Sequence, residues 1–210
     1  MLRDLDFAQI KSHYNLREQT HLQLLRLYSA RNINDYVNLA LGITESSGNY
    51  SSSEHNLGPE ILNNNTPNSI FRLAQDLFNC DKVTHIPNII HSRNLPYLKI
   101  SVGSEIATLL RPNDIWIGNK RTILSHLIIK HNWNTAIAIE ELELYQDNDR
   151  DSEMNYRVWR DIYLSIEGSL EELILTSNSE ARIQGVSPGG LKYLWADAIA
   201  SELYNQRYVV

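Results

Sequence analysis

Apolar side chains recur every three or four positions over most of this chain, the period of a helix with one buried face. Leu5, Phe7 and Ile10 mark such a face over residues 4–13. Leu22, Leu25 and Tyr28, with Leu24 and Leu27 alongside, mark a stronger one over 17–30. A third helix, DYVNLALGI, follows Asn32 or Asn34, either of which suits the cap because its side-chain oxygen accepts from first-turn N–H groups. That helix should end near Thr44. The pattern then lapses. Residues 46–69, SSGNYSSSEHNLGPEILNNNTPNS, are rich in Ser, Asn, Gly and Pro and predict a long loop with at most one turn at PEIL. Ser69 opens the next helix, IFRLAQDLF.

Pro87 and Pro96 argue against a long regular element over 83–96, because proline lacks the backbone donor and clashes with the preceding turn. YLKISV, residues 97–102, alternates and turns β-branched towards its end, which predicts a strand. Ile115–Ile117 predict a second short strand, and SEIATLL between them a short helix. From residue 120 the helical period returns in RTILSHLIIKH and NTAIAIEELELYQ. Met154, Val158, Ile162, Ile166, Leu170 and Leu173 form a sustained stripe, with Asp151 or Ser152 as its cap and Gly168 as a break. The last helix is expected from Ser187 and Pro188, with Leu191, Leu194, Trp195, Ala198, Ile199 and Leu203 facing inward. These elements predict a mainly α chain: one bundle-like helical domain over residues 1–210, carrying the long loop at 46–69 and a small β element near residues 97–118.

Composition narrows the function classes. The 210 residues are 42% hydrophobic and 21% charged, which suits one well-buried core and argues against wholesale disorder. A net charge of −6 works against a non-specific nucleic-acid coat, which needs a basic surface to release counterions. No run reaches the roughly 18 apolar residues of a membrane span. The first residues, MLRDLDF, lack the apolar core of a signal peptide, so the expectation is a cytoplasmic protein with no membrane partner. The single cysteine, Cys80, allows neither an internal disulfide nor a cysteine zinc site, and is expected half-buried at a helix end.

Arg121 stands five residues before His126. This spacing resembles the Arg-x(4–6)-His motif of HEPN-type ribonucleases, which are helical bundles. The resemblance implies a metal-independent endoribonuclease in which Arg121 holds the scissile phosphate and His126 serves as acid and base on the ribose 2′-hydroxyl. The residue types suit those tasks, since a guanidinium fork matches phosphate and imidazole titrates near neutrality. Thr122 stands where that family usually has a polar residue such as Asn. On a regular helix the two positions lie about 140° apart, so convergence needs a helix start at Arg121 or a dimer. ITESSGN, with Glu45 ending an apolar helix, resembles the signature around the catalytic glutamate of lytic transglycosylases in the lysozyme-like superfamily. That resemblance implies Glu45 as a general acid, a role that requires an apolar setting to raise its pKa. GPEILNNN replaces that family's Gly-rich glycan-binding segment.

Other groups read as structural. His126 and His131 are five apart, a poor spacing for shared metal ligation on a helix, so neither metal nor cofactor is expected. The acidic run Glu140, Glu141, Glu143, Asp147, Asp149, Asp151 and Glu153 lacks the glycine and final glutamate of a calcium loop and reads as a solvated flank. SVGSE and SPGGLK match neither nucleotide-binding glycine pattern. Tyr145, Tyr156, Trp159, Tyr163, Tyr193, Trp195, Tyr204 and Tyr208 read mostly as core, with Arg157 and Arg160 beside Trp159 available to a partner. The leading expectation is therefore a non-enzymatic soluble protein acting through protein–protein contacts, as scaffold, adaptor or assembly component. Its partner would be another protein or a second copy. The alternatives are a HEPN-type ribonuclease using Arg121 and His126, with RNA as partner, and a transglycosylase using Glu45.

Overall fold

A computed structural model describes residues 2–145 and 152–208. Among the described residues there are twelve α-helices and no strand. In chain order they are α1 (Phe7–Ser29), α2 (Ile33–Ala40), α3 (Tyr50–Ser53), α4 (Leu57–Asn64), α5 (Pro67–Phe78) and α6 (Ile86–Arg93). There follow α7 (Ile100–Leu110), α8 (Lys120–Lys130), α9 (Thr135–Leu144), α10 (Glu153–Ser165), α11 (Glu167–Ile183) and α12 (Lys192–Arg207). None of the described helices is long and apolar enough to cross a membrane. The chain forms two compact units, Leu16–Ile117 and Met1–Asn15 with Gly118–Val210.

The unit Leu16–Ile117 is built around α7, in which every residue from Ile100 to Leu110 except Ser101 is buried. The strand expected at 97–102 is absent because Ile100 and Val102 open this helix. Burial on all sides outweighs their β propensity there. The expected Ile115–Ile117 strand is likewise absent: Ile115, Trp116 and Ile117 are buried in chain without sheet pairing. Pro87 does not interrupt a helix. It occupies the first turn of α6, where its missing N–H has no intrahelical role. Tyr28, Tyr36, Phe71 and Phe78 form an aromatic cluster, with Tyr28 5.3 Å from Phe71 and 5.1 Å from Phe78. Cys80 is buried, and its thiol donates to the Lys82 carbonyl at 3.0 Å.

The expected long loop at 46–69 is largely helical. A 3-10 turn (Ser46–Gly48), α3, α4 and the start of α5 occupy it. Its polar residues work as caps and struts rather than as solvated chain. Asn49 is fully buried; its Oδ1 accepts from Ser52 N at 3.0 Å, while its Nδ2 donates to the carbonyls of Ala40 and Val102. Thr66 caps α5 by accepting from Ser69 N at 3.2 Å. Gly48 lies so close to the Leu39 carbonyl that a Cβ there would sit 1.7 Å from its oxygen. A buried ion pair holds the segment from beneath: Arg17 Nη2 meets Glu105 Oε1 at 2.8 Å, with both side chains fully buried. Glu105 also accepts from the backbone N–H groups of Tyr50 and Ser51, and Arg17 donates to the Ser47 carbonyl at 2.6 Å.

The other unit is centred on α12, whose residues Tyr193 to Leu203 are all buried. It packs against α8 and α11, and α8 packs against α9. Trp195 meets Tyr14 edge-on at 5.7 Å and Phe7 at 6.5 Å. The last helix starts at Lys192 rather than at Ser187. Tyr14 explains the difference, since its hydroxyl accepts from Gly190 N and Leu191 N, at 3.0 Å each, and holds that stretch non-helical. Gly189 lies flat on the Tyr14 ring, where a Cβ would come within 2.5 Å. The break expected at Gly168 falls two residues earlier, at Ile166 between α10 and α11. Ser152 caps α10 by accepting from Asn155 N at 3.1 Å, while the alternative cap Asp151 lies outside the described residues.

Candidate functional site

Helix α8 carries the residues expected to be chemical. Asn119 starts it with a reciprocal cap: its Oδ1 accepts from Arg121 N and Thr122 N, and Thr122 Oγ1 accepts from Asn119 N. Arg121 therefore sits in the first turn, and its side chain is buried. Its charge reaches Tyr204 on α12, whose hydroxyl is pushed up by burial and by Tyr208 and partly held back by Arg121. His126 is half-buried on another side, with Nδ1 2.8 Å from Ser169 Oγ on α11. Burial lowers the His126 pKa, the Lys130 charge lowers it further, and Glu141 opposes the shift, so the ring is neutral near pH 7. The helix is regular through both residues, which puts them about 140° apart and toward different neighbours. The structure does not bring Arg121 and His126 onto one face.

At the far end of α8, Glu141 of α9 gathers three donors. Lys130 Nζ and His131 Nε2 each lie 2.6 Å from its carboxylate, and the Tyr145 hydroxyl donates to it as well. Burial would raise the Glu141 pKa, but these hydrogen bonds outweigh it and bring the group to about 2. Burial and the same carboxylate push Tyr145 up to about 12. A carboxylate this acidic and this fully bonded is a poor base at neutral pH; it braces α8 to α9. Among the described residues no group of three His, Cys, Asp or Glu side chains is placed to hold a metal ion. Glu45 is exposed, just before the Ser46–Gly48 turn, and makes no side-chain capping bond. The acidic residues Asp147, Asp149 and Asp151 lie outside the described residues.

The feature that sequence reading missed is on α10. Tyr163 is its only fully buried side chain, while Tyr156, Val158, Trp159 and Ile162 are half-buried. Glu153 and Ser165 are exposed at its two ends; between them Met154, Arg157, Asp161 and Leu164 are exposed at spacings of three, four and three. At 100° per residue they fall within one 80° sector. Met154 and Leu164 are 62% and 39% exposed. The order along this face is apolar, positive, negative, apolar, and both the inner and the outer pairs are centred on position 159. Arg157 now pairs with Glu153 at 3.2 Å, and Asp161 with Arg160 at 2.7 Å. Met154, expected as the first residue of the inward stripe, is exposed instead, because the buried side of α10 is set by Tyr163 with the half-buried Trp159 and Ile162. Comparisons with protein-family models, curated proteins and solved structures return no match for this chain.

Proposed function

We propose that this protein is a non-enzymatic assembly component that self-associates through α10. The observation that carries this reading is the mirror order of Met154, Arg157, Asp161 and Leu164 about position 159. A two-fold contact places the same patch on both partners, so residue i meets j and j meets i. Two antiparallel copies of α10 crossing at position 159 set Met154 against Leu164 and Arg157 against Asp161, each twice. No substitution of partner chemistry is needed, because the face is complementary to itself. By contrast, Arg121 and His126 point to different helices and Glu45 lies in the open, so neither catalytic alternative draws support from their placement.

A 13-residue helix pair meets over about 20 Å, below the scale of permanent interfaces, so the expected dimer is weak and concentration-dependent. Light scattering over a range of protein concentrations tests it. The mass should rise from monomer towards dimer, and Leu164→Glu should return it to monomer without changing the helical circular-dichroism signal. A mass fixed at monomer for the native chain removes the reading.

A further inference from the structure

In the unit Leu16–Ile117, a cleft of about 500 Å³ is lined by Thr66, Asn68, Ser69, Arg72, Arg93 and Leu95. Every polar side chain in that lining carries a donor, and two are guanidinium cations. Asp76 accepts from Arg93 Nε at 2.5 Å and also pairs with Nη2, so Arg93 is partly neutralised but retains further N–H groups. Arg72 is exposed, and among the described residues no carboxylate pairs with it. The cleft thus keeps a net positive charge within a chain whose total is −6. The end of α5 is not the source of that charge. Thr66 Oγ1 already accepts from Ser69 N, which leaves its own hydroxyl proton available to a guest. Leu95 gives the cleft one apolar wall.

We infer that this cleft binds a small phosphomonoester. A phosphate presents three oxygens to two guanidinium forks, the Thr66 hydroxyl and the Asn68 amide, a match that a single carboxylate with two oxygens fills less completely. The volume is that of a small-molecule site rather than of a bare oxyanion, and Leu95 faces the organic part of the ligand. This site is independent of the α10 contact and stands or falls separately.

Calorimetric titration of the full chain with AMP, and separately with inorganic phosphate, at constant ionic strength tests the inference. AMP should bind saturably at one site and more tightly than phosphate. Arg72→Ala removes no internal partner, so the chain should fold normally and lose about tenfold or more in AMP affinity. Arg26→Ala, at another exposed position of the same unit, should leave affinity unchanged. Absence of saturable binding, phosphate binding as tightly as AMP, or an Arg72→Ala chain that binds like the native one overturns it.

Discussion

Arg17 and Glu105 each bury a charge completely, and each would be costly alone. Their geometry offsets part of that cost, because two backbone N–H groups donate to Glu105 and one carbonyl accepts from Arg17. Arg17→Met or Glu105→Gln, by removing one partner, should lower stability by about 3–5 kcal/mol in urea unfolding. The double variant Arg17→Met with Glu105→Leu should lose clearly less than the sum of the two, since it strands no charge. Acid sensitivity is also decided at single residues. The folded-state pKa of His126 lies below its ordinary 6.5, so the unfolded chain takes up its proton first. That contribution is fully present above about pH 6.5 and is lost as pH falls below it. The Glu141 carboxyl, at about 2 against an ordinary 4.5, contributes above pH 4.5 and loses its contribution on the way to 2. The melting temperature should therefore fall in two stages from pH 7 to pH 3. His126→Gln should flatten the upper stage and leave the lower one.

At the scale of elements, the helical period found most of what is there. The IFRLAQDLF segment and the α8–α9 pair stand close to where their apolar positions put them, and residues 17–29 are helical as expected, but the inward face there runs through Arg17, His21 and Leu24, leaving Leu22 exposed. The two expected helices before residue 30 proved to be one, α1, because nothing between residues 13 and 17 breaks the period. What was illegible has physical causes. The 46–69 stretch has loop composition, but its Asn and Ser side chains are satisfied by long-range partners such as Val102 and by the buried Glu105, which no local pattern shows. Tyr14 delays α12 from 176 residues away in the chain, again beyond local reading. Of the candidate site, Arg121 and His126 were correctly placed on a helix, but Ser169, Glu141 and Tyr145 came into view only through tertiary contact. The same packing makes Gly48 a sensitive position. Gly48→Ala drives a Cβ into the Leu39 carbonyl and should cost about 2 kcal/mol or more, read as a melting temperature at least about 4 °C lower.

Across the whole molecule, each compact unit is organised around one helix buried on all sides, α7 in one and α12 in the other. In the unit that holds α12, most of the α10 surface is half-buried or exposed, and it is there that the self-complementary face lies. Charge reversal on that face separates a real two-fold contact from general stickiness. Asp161→Arg sets like charges against Arg157 at both symmetric positions, whereas adding Arg157→Asp restores opposite charges in the reversed order. Sedimentation equilibrium of the native chain, of Asp161→Arg and of the Arg157→Asp, Asp161→Arg double variant is the most direct measurement. The account predicts reversible dimerisation of the native chain, at least about tenfold weaker association for Asp161→Arg, and recovery in the double variant. Three equal association constants, or three monomers, would contradict it.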